Sequence, residues 1–386
     1  MKLLPFEYAT RNLGRSPVRL LLTVFGSGLV VLLVMIAGSF MVGMQATLDV
    51  SGSNNNIMLL GAGSEESVER SEVGMDTAGI VAGSIDGLRF RAGVEGISPE
   101  IHIQMPILVD GEDRLILIRG IRPEAFLVHD QVSIITGHAP RNGRNELLVG
   151  KLAAQTLGYN EAADAIGKKV MLDDDAYTIS GVLEAGGGIA EGEMWTSLTD
   201  LQITAQRNTL SCIIVSLDQA KASDLDMFAA SRIDLELAAI SEDDYFAALS
   251  QFYKPIEMMV VMTCIMIAIG GMLGGFNSTY AAFASRVREV GTLQTLGYKR
   301  SAIALSLVQE SILSASIGAI IACVISMLVL DGFTVRFSMG IFTLFMTPKV
   351  VTLGVGSGLM LGIIGAIAPA IRCLRLPIPE ALRASE

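Results

Sequence analysis

Four uncharged apolar runs set the frame of the chain: Leu20–Met44, Met258–Ser285, Ser311–Leu330 and Val350–Ile371. Each is about as long as a helix must be to cross a bilayer, roughly 20 residues. Charge bounds them, with Arg19 before the first, Arg286 after the second, Asp331 after the third, and Lys349 and Arg372 around the fourth. The first run is too long for a signal peptide core, which spans about 7–15 residues, so a retained helix is expected. Between the first and second runs the pattern changes to period two. In Glu100–Ile121, Ile101, Ile103, Met105 and Ile107 share one face, Asp110-Gly111 marks a turn, and Leu115, Leu117 and Arg119 continue the partner strand. Further strands are expected at Glu146–Val149, Lys168–Leu172, Tyr177–Leu183 and Thr209–Leu217. Helices are expected at Lys151–Leu157, Gln219–Arg232 and 241–253. Residues 61–87, rich in Gly, Ser and Glu, read as loop.

The fold class is therefore a membrane protein with four transmembrane α-helices and one large extracytoplasmic α+β domain inserted between helices 1 and 2. The boundaries are an amphipathic N-terminal segment (1–19), helix 1 (20–44), the inserted domain (45–255), helix 2 (256–285), a loop (286–300), helix 3 (301–330), a short loop (331–349), helix 4 (350–371) and a tail (372–386).

Charge sharpens this picture. Only 17% of the 386 residues are charged, 51% are hydrophobic and the net charge is −11. Residues 44–255 hold 15 Lys and Arg against 32 Asp and Glu, while the rest holds 13 against 7. An acidic block thus sits in a basic, apolar frame, which argues against nucleic-acid binding. The short-loop basic residues are Lys2, Arg11, Arg15 and Arg19, then Arg286, Arg288, Lys299 and Arg300, then Arg372, Arg375 and Arg383. They place both termini in the cytoplasm and the inserted domain outside it.

Catalytic chemistry is not signalled. The four cysteines form no CxxC, and only Cys212 lies in the inserted domain. His102, His129 and His138 share no ligand spacing, so surface or strand positions are expected. Asp173-Asp174-Asp175 lacks the spaced ligands of a calcium loop and reads as a solvated turn. Gly186-Gly187-Gly188, flanked by Glu184, Glu191 and Glu193, reads as a flexible loop rather than a phosphate cradle. A phosphate-binding GxxxxGK[ST] motif does not occur.

The stretch Ala284–Arg300 carries the most information. It reads as a helix continuing past the membrane exit and ending at Gly297, with Val287, Val290, Leu293 and Leu296 on one stripe. The physics leaves open whether it docks a partner or simply lies at the interface. Ser301 is a candidate cap for helix 3. Glu310, within that helix, is costly there and should face protein. As the single carboxylate of helix 3 it favours a structural role over proton or ion coupling, such as a salt bridge or hydrogen bond to Arg286 or Arg288. Leu4, Phe6, Tyr8 and Leu13 with Arg11 and Arg15 suggest a surface helix ending before Pro17. Gly270-Gly271-x-x-Gly274-Gly275 and the glycines of helix 4 imply either a dimer seam or close internal packing.

Four stretches resemble the permease subunits of the FtsX-like ABC transporters, the MacB/LolC group. They are Ala9–Thr23; Val149–Ala153 with Gly167–Val170 and Thr178–Leu183; Arg286-Val287-Arg288-Glu289-Val290-Gly291 with Leu296-Gly297 and Glu310; and Pro369–Arg372 with Pro379–Arg383. The third is the most distinctive. The resemblance implies a MacB-like periplasmic core domain, the bacterial inner membrane and a non-catalytic subunit. A separate ABC ATPase subunit would bind ATP and Mg, and this chain would bind no cofactor. A second permease copy, identical or paralogous, a periplasmic adaptor and membrane lipids are the other implied partners. Arg286, Arg288, Glu289, Gly291, Leu296 and Gly297 would couple to the ATPase, and Glu310 would brace the joint. MacB-type efflux is the expected function. The alternatives are LolC-type lipoprotein or lipid release and FtsX-type regulation of a cell-wall hydrolase.

Overall fold

The computed structural model describes residues 6–13, 17–109, 112–159, 161–337 and 340–374. Leu4, Arg15, the Asp110-Gly111 turn, Arg375 and the tail from Pro379 to Arg383 lie outside them. The chain forms two compact units. One, the helical unit, comprises Met1–Val42, Pro255–Phe333 and Thr343–Glu386. The other, the inserted domain, comprises Gly43–Lys254 together with Thr334–Phe342.

In chain order, α1 (Phe6–Leu13) and α2 (Pro17–Ser51) precede β1 (Asn56–Gly61), α3 (Thr77–Ser84) and a small ribbon, β2 (Phe90–Arg91) and β3 (Val94–Glu95). Then follow β4 (Ile97–Val109), β5 (Glu112–Ile121), α4 (Ala125–Val128), β6 (Ser133–Gly137), β7 (Glu146–Gly150) and α5 (Lys151–Thr156). Next come β8 (Lys169–Leu172), β9 (Asp175–Glu184), β10 (Met194–Ser197), α6 (Leu198–Thr204), β11 (Cys212–Ser216), α7 (Ala222–Ser231) and β12 (Leu237–Ser241). The last elements are α8 (Glu242–Ala284), α9 (Val287–Thr295), α10 (Arg300–Val329), β13 (Thr334–Phe337), β14 (Gly340–Thr343) and α11 (Pro348–Leu374).

Among the described residues, ten strands of the inserted domain form one mixed sheet in the order β12-β1-β11-β4-β5-β10-β7-β9-β6, with β8 paired to β9. The alternation seen in the sequence fixes its centre. Ile103 of β4 lies opposite Ile118 of β5, and Met105 opposite Ile116. Ile101, Met105, Ile107, Ile116 and Ile118 are all buried in the main apolar cluster. On the other face of the same pair, His102 stands opposite Arg119. The register between β11 and β4 sets Cys212 opposite Glu100. Polar residues therefore gather on one side of the central strands, and the aliphatic core lies on the other.

One expectation is corrected here. Residues 61–87 are not all loop: α3 forms within them because Ala78 and Val81 bury against the main core. The glycines 186–188 form a turn, where the Glu191 carboxylate accepts the N–H groups of Ala185 and Gly187 at 3.0 and 2.8 Å.

Among the described residues, four helices are long and apolar enough to cross a membrane: Leu20–Ser51, Glu242–Ala281, Arg300–Val329 and Pro348–Arg372. In the helical unit α10 packs along α11, and α1 lies against α10. Glycines make the closest approaches. A Cβ on Gly358 would meet Val31 Cγ2 at 2.7 Å, and one on Gly362 would meet Ala315 Cβ at 2.8 Å. The glycines of α8 are more open: a Cβ on Gly270, Gly274 or Gly275 would meet nothing within 4 Å among the described residues, although one on Gly271 would touch Val30 Cγ2 at 3.0 Å. Gly271, Gly274 and Gly275 line a cavity of about 310 Å³ together with Gly26, Ser27 and Gly362.

Candidate functional site

The residues singled out around Arg286 come together. The long helix does not run on to Gly297 as expected; it stops at Ala284, and α9 begins afresh at Val287. The interruption is tied to Arg286, whose side chain turns to make several polar contacts. Its Nε donates to Glu289 Oε2 at 2.8 Å and its Nη1 to Glu310 Oε2 at 3.0 Å. Tyr8 donates its hydroxyl to Glu289 Oε1 at 2.8 Å. Burial works against the Arg286 charge, but hydrogen bonding to Glu289 and the Glu310 charge outweigh it and raise the pKa. One guanidinium thus ties α9 to α10, and through Tyr8 to α1.

The remaining residues frame this node. Val287, Val290 and Gly291 are buried, and Val290 packs with Phe283, Ile303, Leu307, Ala370 and Leu374. Arg288 is exposed. Leu296 does not extend the buried stripe; it is 65% exposed. Gly297 ends the turn after α9 at φ +89°, a conformation that favours glycine. Ser301 does not cap the next helix, because α10 already starts at Arg300 with Lys299 in the cap position.

The inserted domain holds a second polar centre that the sequence did not announce. His102 stands on strand β4, within the expectation, and is buried at 3% exposure, whereas His129, after α4, is on neither surface nor strand and is buried at 2%. Glu100 is fully buried and accepts from four sides: Ser98 Oγ at 2.7 Å, His129 Nε2 at 2.7 Å, His102 Nε2 at 2.9 Å and Arg119 Nη1 at 3.1 Å. Arg119 also grips Glu193 through Nε and Nη2, both at 2.7 Å. The indole N–H of Trp195 donates to Glu193 Oε2 at 2.7 Å, and the Arg119 guanidinium lies 5.0 Å from the Trp195 ring centre. Asn56 donates to Glu242 Oε2 at 2.9 Å.

Burial works to raise the Glu100 carboxyl, but the His129 and Arg119 charges hold it well below the usual carboxylate range. Burial likewise opposes charge on His129, yet Glu100 raises its pKa, whereas burial lowers that of His102. Burial pushes the Cys212 thiol well up.

Comparison with known proteins gives these two centres a common setting. A family model described as the MacB-like periplasmic core domain matches residues 20–230, more than half of the chain. A second, the FtsX-like permease C-terminal model, matches residues 261–378. The chain belongs to the MacB/FtsX-like family of ABC transporter permeases. Its relatives include the macrolide export ATP-binding/permease protein MacB of Campylobacter jejuni strain 81-176, 22% identical over 268 residues. That alignment takes in 66% of this chain and 40% of the relative, so the chain spans about 40% of that protein's length. MacB of Bradyrhizobium diazoefficiens is 20% identical over 251 residues, covering 60% of this chain and 38% of the relative. Among solved structures, the periplasmic region of MacB from Actinobacillus actinomycetemcomitans aligns at 11% identity and a TM-score of 0.40. It covers 51% of this chain and 94% of that one. The extracellular domain of the noncanonic ABC-type transporter YknZ from Gram-positive bacteria aligns at 18% identity and a TM-score of 0.38, covering 48% and 99%.

In this FtsX-like permease the Arg286–Glu310 pair lies inside the C-terminal family segment. The Glu100–Arg119–Glu193 centre lies inside the MacB-like core domain. The first centre was visible in the sequence because one motif carries most of it. Tyr8 was named there only for its place on an amphipathic helix. The second was hidden because its members come from β4, β5, β10, β11 and the turn after α4. A weak signal existed: Glu100, His102 and Arg119 interrupt an otherwise aliphatic strand pair.

Proposed function

We propose that this permease converts the motion of a separate ABC ATPase subunit into movement of its inserted domain, and so expels a substrate in the manner of MacB-type efflux. The observation that carries the proposal is the Arg286 node. It joins a short helix, α9, to a long apolar helix and to the N-terminal helix through charge-assisted bonds. A force applied to α9 is therefore resisted by α10 rather than absorbed by a loose loop. On this reading Arg286, Arg288, Glu289, Gly291, Leu296 and Gly297 form the surface and hinge that meet the ATPase, and Glu310 braces them. ATP and Mg bind the partner. Both termini and α9 face the cytoplasm, and the inserted domain faces the periplasm. A second copy, identical or paralogous, completes the transporter, and an adaptor receives the substrate outside. The large inserted domain favours extrusion or lipoprotein release over FtsX-type regulation.

The test is co-purification with candidate ATPase subunits of the host and measurement of ATP turnover. The intact permease should bind and stimulate one of them. The double variant Glu289→Lys, Gly291→Trp should lose binding or turnover, because it reverses a node charge and forces a large side chain into a buried site. If no ATPase binds either form, the proposal fails.

A further inference from the structure

The buried centre of the inserted domain contains ligand chemistry that transport coupling does not use. Glu100, His102 and Cys212 each direct one ligand atom to the same spot, and those atoms lie within 4.8 Å of one another. Cys212 Sγ is 3.8 Å from His102 Nε2, and His102 Nε2 is 2.9 Å from Glu100 Oε2. In a tetrahedral zinc site, neighbouring ligand atoms stand roughly 3.3–3.6 Å apart, given metal–ligand bonds of about 2.0–2.3 Å. The observed separations bracket that range. A second imidazole is close by, with His129 Nε2 2.7 Å from Glu100 Oε1.

We propose that Glu100, His102 and Cys212 form a binding site for a thiophilic divalent cation of the zinc class, with His129 or a water in the fourth position.

The strand pairing preorganises this set. Cys212 lies opposite Glu100 in the β11–β4 register, and His102 is two residues along the same face of β4. Cross-strand neighbours and i, i+2 residues share one side of a sheet, so the three side chains converge without a special loop. The donor types select the metal. Thiolate and imidazole with one carboxylate suit zinc and its neighbours, whereas magnesium and calcium take oxygen ligands.

Charge supports the same conclusion. Two buried carboxylates, Glu100 and Glu193, hold the Arg119 guanidinium, and a third, Glu242, lies 3.9 Å from His129. Glu193 grips Arg119 through two hydrogen bonds and offsets its charge locally. A second guanidinium, that of Arg207, reaches the backbone carbonyl of His102 at 3.4 Å, so the carboxylates outnumber the arginines at this centre three to two. When it binds, the Cys212 thiol proton leaves to solvent as the sulfur–metal bond forms, the His102 ring proton passes from Nε2 to Nδ1 so that Nε2 offers its lone pair, and the Glu100–His102 hydrogen bond gives way to two metal bonds.

The experiment uses the full-length chain, tag-free and metal-stripped, in detergent, with Cys264, Cys323 and Cys373 changed to Ser so that Cys212 is the only thiol. Co²⁺ is titrated in while absorbance and Trp195 emission are followed. Trp195 is the chain's single tryptophan and lies in this centre, its ring centre 5.5 Å from that of His129. The expected result is one Co²⁺ per chain, a thiolate-to-cobalt charge-transfer band, quenching of Trp195 and displacement of cobalt by Zn²⁺. Adding Cys212→Ser should abolish the band, and His102→Gln should weaken binding by more than about tenfold. Absence of the charge-transfer band in the Cys212-only protein overturns the proposal, as does a band of equal strength after Cys212→Ser. If Cys212→Ser does not fold, the Cys212-only protein still decides the question.

Discussion

Arg119 reaches two carboxylates of the inserted domain at once, Glu193 through two donors and Glu100 through a third. Removing it would strand both in a region where neither meets water. Breaking a buried ion pair in this way costs about 3–5 kcal/mol. Arg119→Met should therefore lower the urea midpoint of the inserted domain's unfolding sharply, read from Trp195 emission. A larger loss is expected than for Arg141→Ala, whose partner Glu146 is bound from the surface. The node around Arg286 admits a finer measurement. Arg286→Gln and Glu310→Gln should each reduce thermal stability, and the double variant should lose less than the sum, because each single change strands the other charge. Strictly additive losses would show that the two side chains do not act as a pair. At this scale the sequence was legible where a cost pointed to a partner: a carboxylate inside an apolar helix, Glu310, called for the nearest basic residues, and Arg286 meets it. The Arg286–Glu289 contact, three residues apart, was not foreseen. Glu100, Arg119 and Glu193 are joined by sheet pairing, and no local spacing records that.

The helices and strands were easier to foresee. β4 and β5 follow the alternation of Ile101 to Ile107, and the four apolar helices follow length and the absence of charge. Helix ends were less legible. The break at Ser285–Arg286 has no Pro or Gly to mark it and depends on tertiary contacts of Arg286. Glycine-rich helices are a clearer lesson. A sequence pattern cannot say whether a glycine receives a neighbour, and here the two kinds coexist. A Cβ on Gly318 would collide with the backbone of Val24 and Gly28, whereas one on Gly274 would meet nothing within 4 Å among the described residues. Gly318→Ala should cost about 1–3 kcal/mol through overpacking. Gly274→Ala should leave the melting temperature in detergent nearly unchanged. Equal effects would contradict the packing of α2 against α10.

At the scale of the molecule, the family assignment joins a node in the FtsX-like segment to a MacB-like domain through one chain. Variants of the node should separate two properties. Glu310→Gln should lower permease-stimulated ATP turnover while leaving Trp195 emission, and hence the interior of the inserted domain, unchanged. A shift in both would mean that the variant acts by unfolding rather than by uncoupling.

The inserted domain is also assembled from two distant stretches of sequence, Gly43–Lys254 and Thr334–Phe342. The second is small but well seated: Ile341 is 6% exposed, Phe342 is 1% exposed, and a Cβ on Gly192 would touch Ile341 at 3.2 Å. A ribosome delivers the first stretch long before the second, with most of α8 and all of α9 and α10 between them. During synthesis the domain must therefore wait with an apolar seat uncovered until the last hairpin, β13–β14, arrives. Its maturation is coupled to the delivery of α10, and a fragment ending at Lys254 should be less stable, and more prone to self-association, than the same fragment supplied with the 334–342 peptide.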